Sequence, residues 1–243
     1  MKAYQTSEIK NIALTGGTKS GKTTLAEAML FEGKVITRRG SVDDKNSVSD
    51  YREIELERKA SVFSTVLYSE YAGKKINIID NPGFDDFIGE LIASLKVVDT
   101  AVIVVNAQNG VEVGTEITWR QVSRLEKPAV FLLNHLDHEK ANFDEAIRQL
   151  KQQFGEKVLP AQYPLNAGVG FDSVVDVLAM KLYKFPKDGG VPQISDIPEG
   201  EKAKAEQLQS AIVEAAAESD ESLMELFFEN GTLTPEQLST GIN

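Results

Sequence analysis

Gly16-Gly17-Thr18-Lys19-Ser20-Gly21-Lys22-Thr23 is the stretch on which the reading of this chain turns. It fits G-x-x-x-x-G-K-[ST] at every fixed position. Residues 9–15 ahead of it have the apolar character of a strand, and residues 22–31 behind it that of a helix. This order is what an anion cradle requires. Glycines let successive backbone N–H groups turn inward, and the helix N-terminus adds a partial positive charge. Gly16, Gly17, Thr18, Lys19, Ser20, Gly21 and Thr24 would then wrap a phosphate chain. The Lys22 ammonium would reach its β- and γ-phosphates, and the Thr23 hydroxyl would ligate Mg²⁺. The loop alone does not separate guanine from adenine nucleotides.

Two further motifs lie downstream at the ends of apolar runs. Asp80-Asn81-Pro82-Gly83 follows Ile76, Ile78 and Ile79. A carboxylate there can hold Mg²⁺ directly or through water, and the Gly83 N–H can meet a γ-phosphate because no side chain blocks the approach. By itself this is an ordinary strand-end turn; after a phosphate-binding loop it becomes a metal site and γ-phosphate sensor. Asn134-His135-Leu136-Asp137 follows the apolar run 129–133, read as a buried strand. A carboxylate at a purine edge accepts from guanine N1–H and the 2-amino group, donors that adenine lacks, so Asp137 selects guanine. Asn134 would tie this loop to the phosphate loop or to the base.

The rest of the first half alternates strands and helices. Residues 61–68 alternate, with Val62, Ser64, Val66 and Tyr68 on one face, and Ala72-Gly73-Lys74 turns them back into a strand over 75–80. Helices are expected over 86–96, 112–124 and 143–154, with strands over 100–106 and 129–134. Short strands interleaved with helices imply a mostly parallel sheet covered on both sides, with 61–68 as the antiparallel exception. Residues 157–165 and 171–185 suit a small sheet, although 171–182 also fits a helix; 186–192 reads as a loop. From Glu199 the chain is helical, with a break at Ser219-Asp220 and a last helix opened by Thr234 as N-cap and Pro235 at its first position.

Composition bounds the partners. The 243 residues contain no cysteine and two histidines, which excludes disulfides, thiolate metal sites and histidine-rich ones. Residues 1–10 are polar and carry no signal sequence, and no apolar run approaches the roughly 18 residues that span a membrane. A cytoplasmic protein is expected. The net charge of −11 disfavours broad nonspecific binding to nucleic acid, but not docking on a large ribonucleoprotein through local contacts. From Asp196 onward eleven Asp or Glu stand against Lys202 and Lys204, a local net charge of −9. That is either a solvated helical face or a docking surface for a basic partner.

These motifs resemble those of the translational GTPases, most closely bacterial elongation factor G. The resemblance runs through residues 16–25, 50–61, 80–87, 134–144 and the acidic tail. It implies an α/β fold, a P-loop GTPase with a three-layer, mostly parallel sheet and an inserted small α+β subdomain. Residues 1–156 would form the GTPase domain and 157–243 the insert. It also implies GTP/GDP and Mg²⁺ as ligands and a monomer acting on the ribosome, the insert's helices meeting a ribosomal stalk protein. Asp50-Tyr51 and Glu57-Arg58-Lys59-Ala60-Ser61-Val62 look like the family's first switch, which usually ends E-R-G-I-T-I. Ser61 would then join Thr23 and Asp80 on the metal, and its hydroxyl can still coordinate.

The chain departs from the pattern in four places. Phe84 stands where the family has a histidine thought to organise the attacking water, a change that resembles the elongation-factor-G-like paralogues. Lys19 occupies a P-loop position that is usually acidic or small, and His135 replaces the lysine of N-K-x-D. The family's last guanine motif, S-A, is not reached before Asn243, so a fragment lacking the last strand of the sheet is expected. Lys22, Gly83 and whatever compensates Phe84 would carry GTP hydrolysis. The alternative is a nucleotide-gated ribosome-binding module with little turnover; an ATP-using enzyme is disfavoured by Asn134 and Asp137.

Overall fold

The computed structural model describes residues 3–187 and 190–242. Of the expected 186–192 loop, Asp188 and Gly189 lie outside the described residues. The chain divides into two compact units, Met1–His135 and Leu136–Asn243. The division falls earlier than the 156/157 boundary read from the sequence.

The first unit is built on β1 (Ile9–Thr15), β2 (Thr65–Tyr71), β3 (Lys74–Asp80), β4 (Thr100–Asn106) and β5 (Ala129–Asn134), in the order β2-β3-β1-β4-β5. Only β2 runs antiparallel. Between the strands lie α1 (Lys22–Glu32), α2 (Glu53–Arg58), α3 (Ile88–Val97) and α4 (Val113–Arg124). Leu14, Leu67 and Ile78 pack with Ala26 and Leu30 of α1. Their strand neighbours Ala13 and Ile103 are also fully buried. Successive strand residues point to opposite faces, so both faces of the sheet are covered. The central strands accordingly read as apolar runs. In the parallel register Leu14 pairs with Asp80, and Asn106 with Asn134. The loops after β1, β3 and β5 therefore all leave from the carboxyl end of the sheet, where open α/β folds bind ligands.

Three details differ from the sequence reading. Residues 61–64 are not strand, because carboxylates take backbone donors a ladder would need. Glu55 accepts from the N–H of Val62 and Phe63, both at 3.1 Å, and Glu90 accepts from that of Ser64 at 2.8 Å. Val66 and Tyr68 do share a face, but it is the outward one; Thr65, Leu67 and Ser69 point inward. The run 129–133 is not fully buried: β5 is an edge strand with Val130 55% exposed. The expected 86–96 helix is a 3-10 turn over Asp85–Phe87 followed by α3.

The second unit holds α5 (Phe143–Phe154), then β6 (Gln162–Pro164), β7 (Ser173–Asp176), β8 (Lys181–Lys184) and β9 (Gln193–Ser195) as an antiparallel sheet in that order. The helix alternative for 171–182 is not adopted. Asp176 accepts from the Ala179 N–H at 2.8 Å, and Met180 takes a left-handed φ of 50°, which turns β7 back into β8. Tyr163, Val175, Val177 and Leu182 pack with Ala205 and Ile212 of α6 (Glu199–Ala217). α7 (Glu221–Asn230) and α8 (Pro235–Ile242) complete the unit. Asp220 caps α7 through the N–H groups of Ser222 and Leu223, and Thr234 caps α8 by accepting from Gln237 N–H at 3.3 Å, as its sequence position suggests. No helix among the described residues is long and apolar enough to cross a membrane.

Candidate nucleotide and metal site

β1 delivers the chain into the glycine loop, and the loop is shaped by what surrounds it. Gly16 has φ 122°, and a Cβ there would lie 2.3 Å from the Val104 carbonyl oxygen. Gly21 has φ 93°, and a Cβ there would lie 2.2 Å from Asn134 Nδ2. Both positions therefore admit only glycine. Lys19 adopts a left-handed φ of 61° and is exposed, whereas Gly16, Gly17 and Ser20 are not. Thr24 faces outward on α1.

Lys22 is buried, and its ammonium donates to the carbonyls of Gly16 at 3.0 Å and Gly17 at 2.7 Å. Burial pulls its pKa down to about 8, against the upward pull of Asp80 and Asp50. Gly83 closes over it: a Cβ at Gly83 would lie 2.6 Å from the ammonium. The Thr18 hydroxyl donates to the Gly83 carbonyl at 2.9 Å. The glycine loop and the Asp80–Gly83 turn thus meet on one cation.

Thr23 and Ser49 both donate to Asp80 Oδ2, at 2.8 and 2.7 Å, and the Ser61 hydroxyl stands 3.3 Å from that of Thr23. Asp80 is fully buried and its Oδ1 has no partner. Burial pushes its pKa up to about 6, only partly offset by Ser49, Thr23 and Lys22. Asp50 is buried beside them, and no donor reaches either of its oxygens in hydrogen-bonding geometry. Its pKa is raised mainly by burial, with a smaller downward pull from the Ser61 hydroxyl. Unpaired buried carboxylate oxygens beside three hydroxyls fit a small hard cation that takes oxygen ligands. No group of three or more His, Cys, Asp or Glu side chains suited to a metal occurs among the described residues. One carboxylate with hydroxyls is the sparse protein share that Mg²⁺ accepts when phosphates and water complete its shell.

The sequence reading missed several supports. Ser49, on Asp80, directly precedes the Asp50-Tyr51 pair. Glu27 sits one turn after Thr23 on the buried face of α1 and accepts from the N–H of Gly40 and Val48. An acid among Ala26 and Leu30 was the available signal. Glu55 is fully buried and pins the chain just after α2, which ends in Lys59 at a left-handed φ of 49°. The Arg52 guanidinium lies between Tyr51 at 4.9 Å and Phe63 at 4.4 Å. Asn81 is held by donors on Ser64 and Ser94. Gly114 approaches the glycine loop so closely that a Cβ would lie 2.7 Å from Gly17 Cα.

Asn134 Nδ2 donates to the Ser20 carbonyl at 2.9 Å, which ties β5 to the glycine loop. His135 takes a φ of 59°, and its Nε2 is buried without a partner close to Gly21. Asp137 lies on a turn of the second unit, where the Gly168 N–H donates to the Leu136 carbonyl at 2.7 Å. Phe84 is 47% exposed and meets Phe87 edge-on at 6.4 Å.

The family model described as the elongation factor Tu GTP binding domain matches residues 7–230. This chain belongs to that family. The elongation factor G-like protein of Thermotoga maritima is 38% identical over 216 residues, 89% of this chain and 30% of that protein. The elongation factor G-like protein of Mycobacterium tuberculosis is 35% identical over 227 residues, 93% of this chain and 31% of that protein. A crystal structure of a Thermus thermophilus protein matches with a TM-score of 0.89 at 30% identity, covering 97% of this chain and 35% of that one. The chain therefore spans about a third of the length of these relatives. It is a translational GTPase domain of the elongation factor G-like kind, with the mixed, mostly parallel sheet of the P-loop GTPases.

Proposed function

We propose that this GTP-binding domain holds GTP with Mg²⁺ and hydrolyses it to GDP, stimulated by the ribosome. The observation that supports this best is the meeting of Lys22, Gly83 and the Thr23–Asp80 pair at the carboxyl end of the sheet. Phosphoryl transfer is mostly positioning and charge stabilisation. Lys22 would leave the Gly16 and Gly17 carbonyls for the phosphates, and the Gly83 N–H would meet the γ-phosphate. Thr23, Ser61 and Asp80 would hold Mg²⁺, which supplies charge neutralisation between the β- and γ-phosphates. Asn134 and His135 border the nucleoside end, and Asp137 reads guanine. The protein would work as a monomer in the cytoplasm, with neither membrane nor broad nucleic-acid affinity. The acidic helices α6 to α8 are the proposed face for the ribosomal stalk protein.

A second reading is favoured by Phe84, which can neither accept nor donate a proton. In it the domain grips the ribosome when GTP is bound and turns over little. Single-turnover GTP hydrolysis with and without ribosomes separates the two. A stimulation within the range of about 10³–10⁵ known for partner-activated GTPases supports the hydrolytic reading. GTP-dependent ribosome binding without phosphate release supports the gated module and sinks the first.

Base selection has its own test. Asp137→Asn should weaken GTP and admit xanthosine triphosphate, whose 2-oxo group prefers a donor. The ratio of the two affinities should shift by about 10²-fold or more, since a buried polar mismatch is costly. A preference for GTP left intact would remove Asp137 from the base site.

A further inference from the structure

Hydrolysis needs a group beside the Gly83 turn that holds a water in line with the γ-phosphate. The Phe84 side chain has no hydrogen-bonding atom, and its half-exposed ring is turned towards Phe87. Asp85 and Asp86, just after it, are exposed on the solvent side, and the hydroxyls and ammonium nearest the turn are bonded elsewhere. Lys22 carries donors only, and these face the phosphate loop. The hydroxyls of Thr23 and Ser49 are bonded to Asp80, and that of Ser61 stands beside Thr23 on the metal side. Ser64 and Ser94 both donate to Asn81.

Thr18 is different. Its Cα is so close that a Cβ on Gly83 would lie 2.9 Å away, and its hydroxyl donates to the Gly83 carbonyl at 2.9 Å. Among the described side chains, no other hydroxyl is bonded to Gly83. A hydroxyl that donates one hydrogen bond keeps two lone pairs free to accept. The Thr18 oxygen therefore stands at the Gly83 turn with acceptor capacity to spare.

We propose that the Thr18 hydroxyl orients the attacking water in this chain, in place of a side chain at position 84. The inference rests on the hydrolytic reading above. Thr18 accepts a hydrogen bond from the water and donates one to the Gly83 carbonyl, which leaves a lone pair of the water aimed at phosphorus. The water oxygen bonds to phosphorus, the bond from phosphorus to the bridging oxygen of GDP breaks, and the water proton passes to a phosphate oxygen. Thr18 gains and loses no proton. Its contribution is placement, which on the hydrolytic reading supplies what phenylalanine at position 84 does not.

The test uses the whole chain, with Thr18→Val and Thr18→Ser. Valine keeps the β-branched shape and the backbone N–H, and removes only the hydroxyl. Single-turnover GTP hydrolysis, with and without ribosomes, is read beside the affinities for GTP and GDP. Thr18→Val should slow hydrolysis at least tenfold, in line with the cost of a misplaced reactant, while the ratio of GTP to GDP affinity moves less than about threefold. Thr18→Ser should stay near the wild-type rate. Two results overturn the proposal. One is a Thr18→Val protein that hydrolyses at the wild-type rate. The other is a rate loss matched by an equal loss of preference for GTP over GDP, which would mean that Thr18 only pins the Gly83 turn. A wild-type chain that binds GTP and never releases phosphate fails differently, because it removes the hydrolytic reading and this inference with it.

Discussion

Lys22→Ala is expected to weaken GTP binding at least a hundredfold. Hydrogen bonds to charged groups contribute about 1.5–3 kcal/mol each, and Lys22 would make at least two to the phosphates. Its ammonium already sits where that is possible, between the Gly16 and Gly17 carbonyls and directly under Gly83. Although burial lowers its pKa to about 8, it is mostly charged at neutral pH. Alanine would also leave Asp80 and Asp50 without their nearest cation. Nucleotide titration by calorimetry measures the loss, and circular dichroism checks that the fold persists. An affinity within a few-fold of wild type would take Lys22 out of the phosphate site.

Asp80→Asn should cut the Mg²⁺ enhancement of GTP affinity by about tenfold or more, the scale of losing a metal-site ligand or its support. The same variant tests the pH linkage. In the nucleotide-free chain the folded pKa of Asp80 is raised, by burial, to about 6 from 3.8. The fold therefore prefers the protonated acid. Its contribution to stability is fully present below the unfolded value and is lost as pH rises through about 6. Asparagine mimics the protonated form at every pH. Without nucleotide or divalent ions, Asp80→Asn should melt higher than wild type at pH 7, and the gap should close as pH falls through about 6. Mg²⁺ should narrow it from the other side by stabilising the wild type alone. A gap independent of pH would mean that Asp80 does not titrate in the folded chain.

The parts of this molecule legible in the sequence are those where one residue type alone satisfies the backbone or the charge. Gly16 and Gly21 are fixed by close approach, and the central strands β1 and β4 by burial on two faces. The less legible parts depend on long-range hydrogen bonds. Residues 61–64 alternate as a strand should, yet Glu55 and Glu90 take their backbone donors, and no local pattern announces that. The 171–182 segment carries apolar spacing for either a helix or a hairpin. What decides is one carboxylate, Asp176, on the Ala179 N–H, together with the left-handed turn at Met180. Ser49 was invisible because serine in a polar segment has many roles, and only the fold brings it to Asp80. The edge position of β5 follows from strand order, which its composition does not record.

Lys59 carries a last consequence. It ends α2 in the left-handed basin, at the place where the resemblance implies glycine. A side chain in that basin costs about 1–2 kcal/mol. A glycine would escape that cost but lose about 0.4–1 kcal/mol to the greater freedom of the open chain. The balance, about 0–1.6 kcal/mol, disfavours the arrangement of residues 49–63 described above by up to about fifteenfold relative to glycine at this position. Where that arrangement is the minor form, a partner that requires it must supply the difference before any contact of its own is counted.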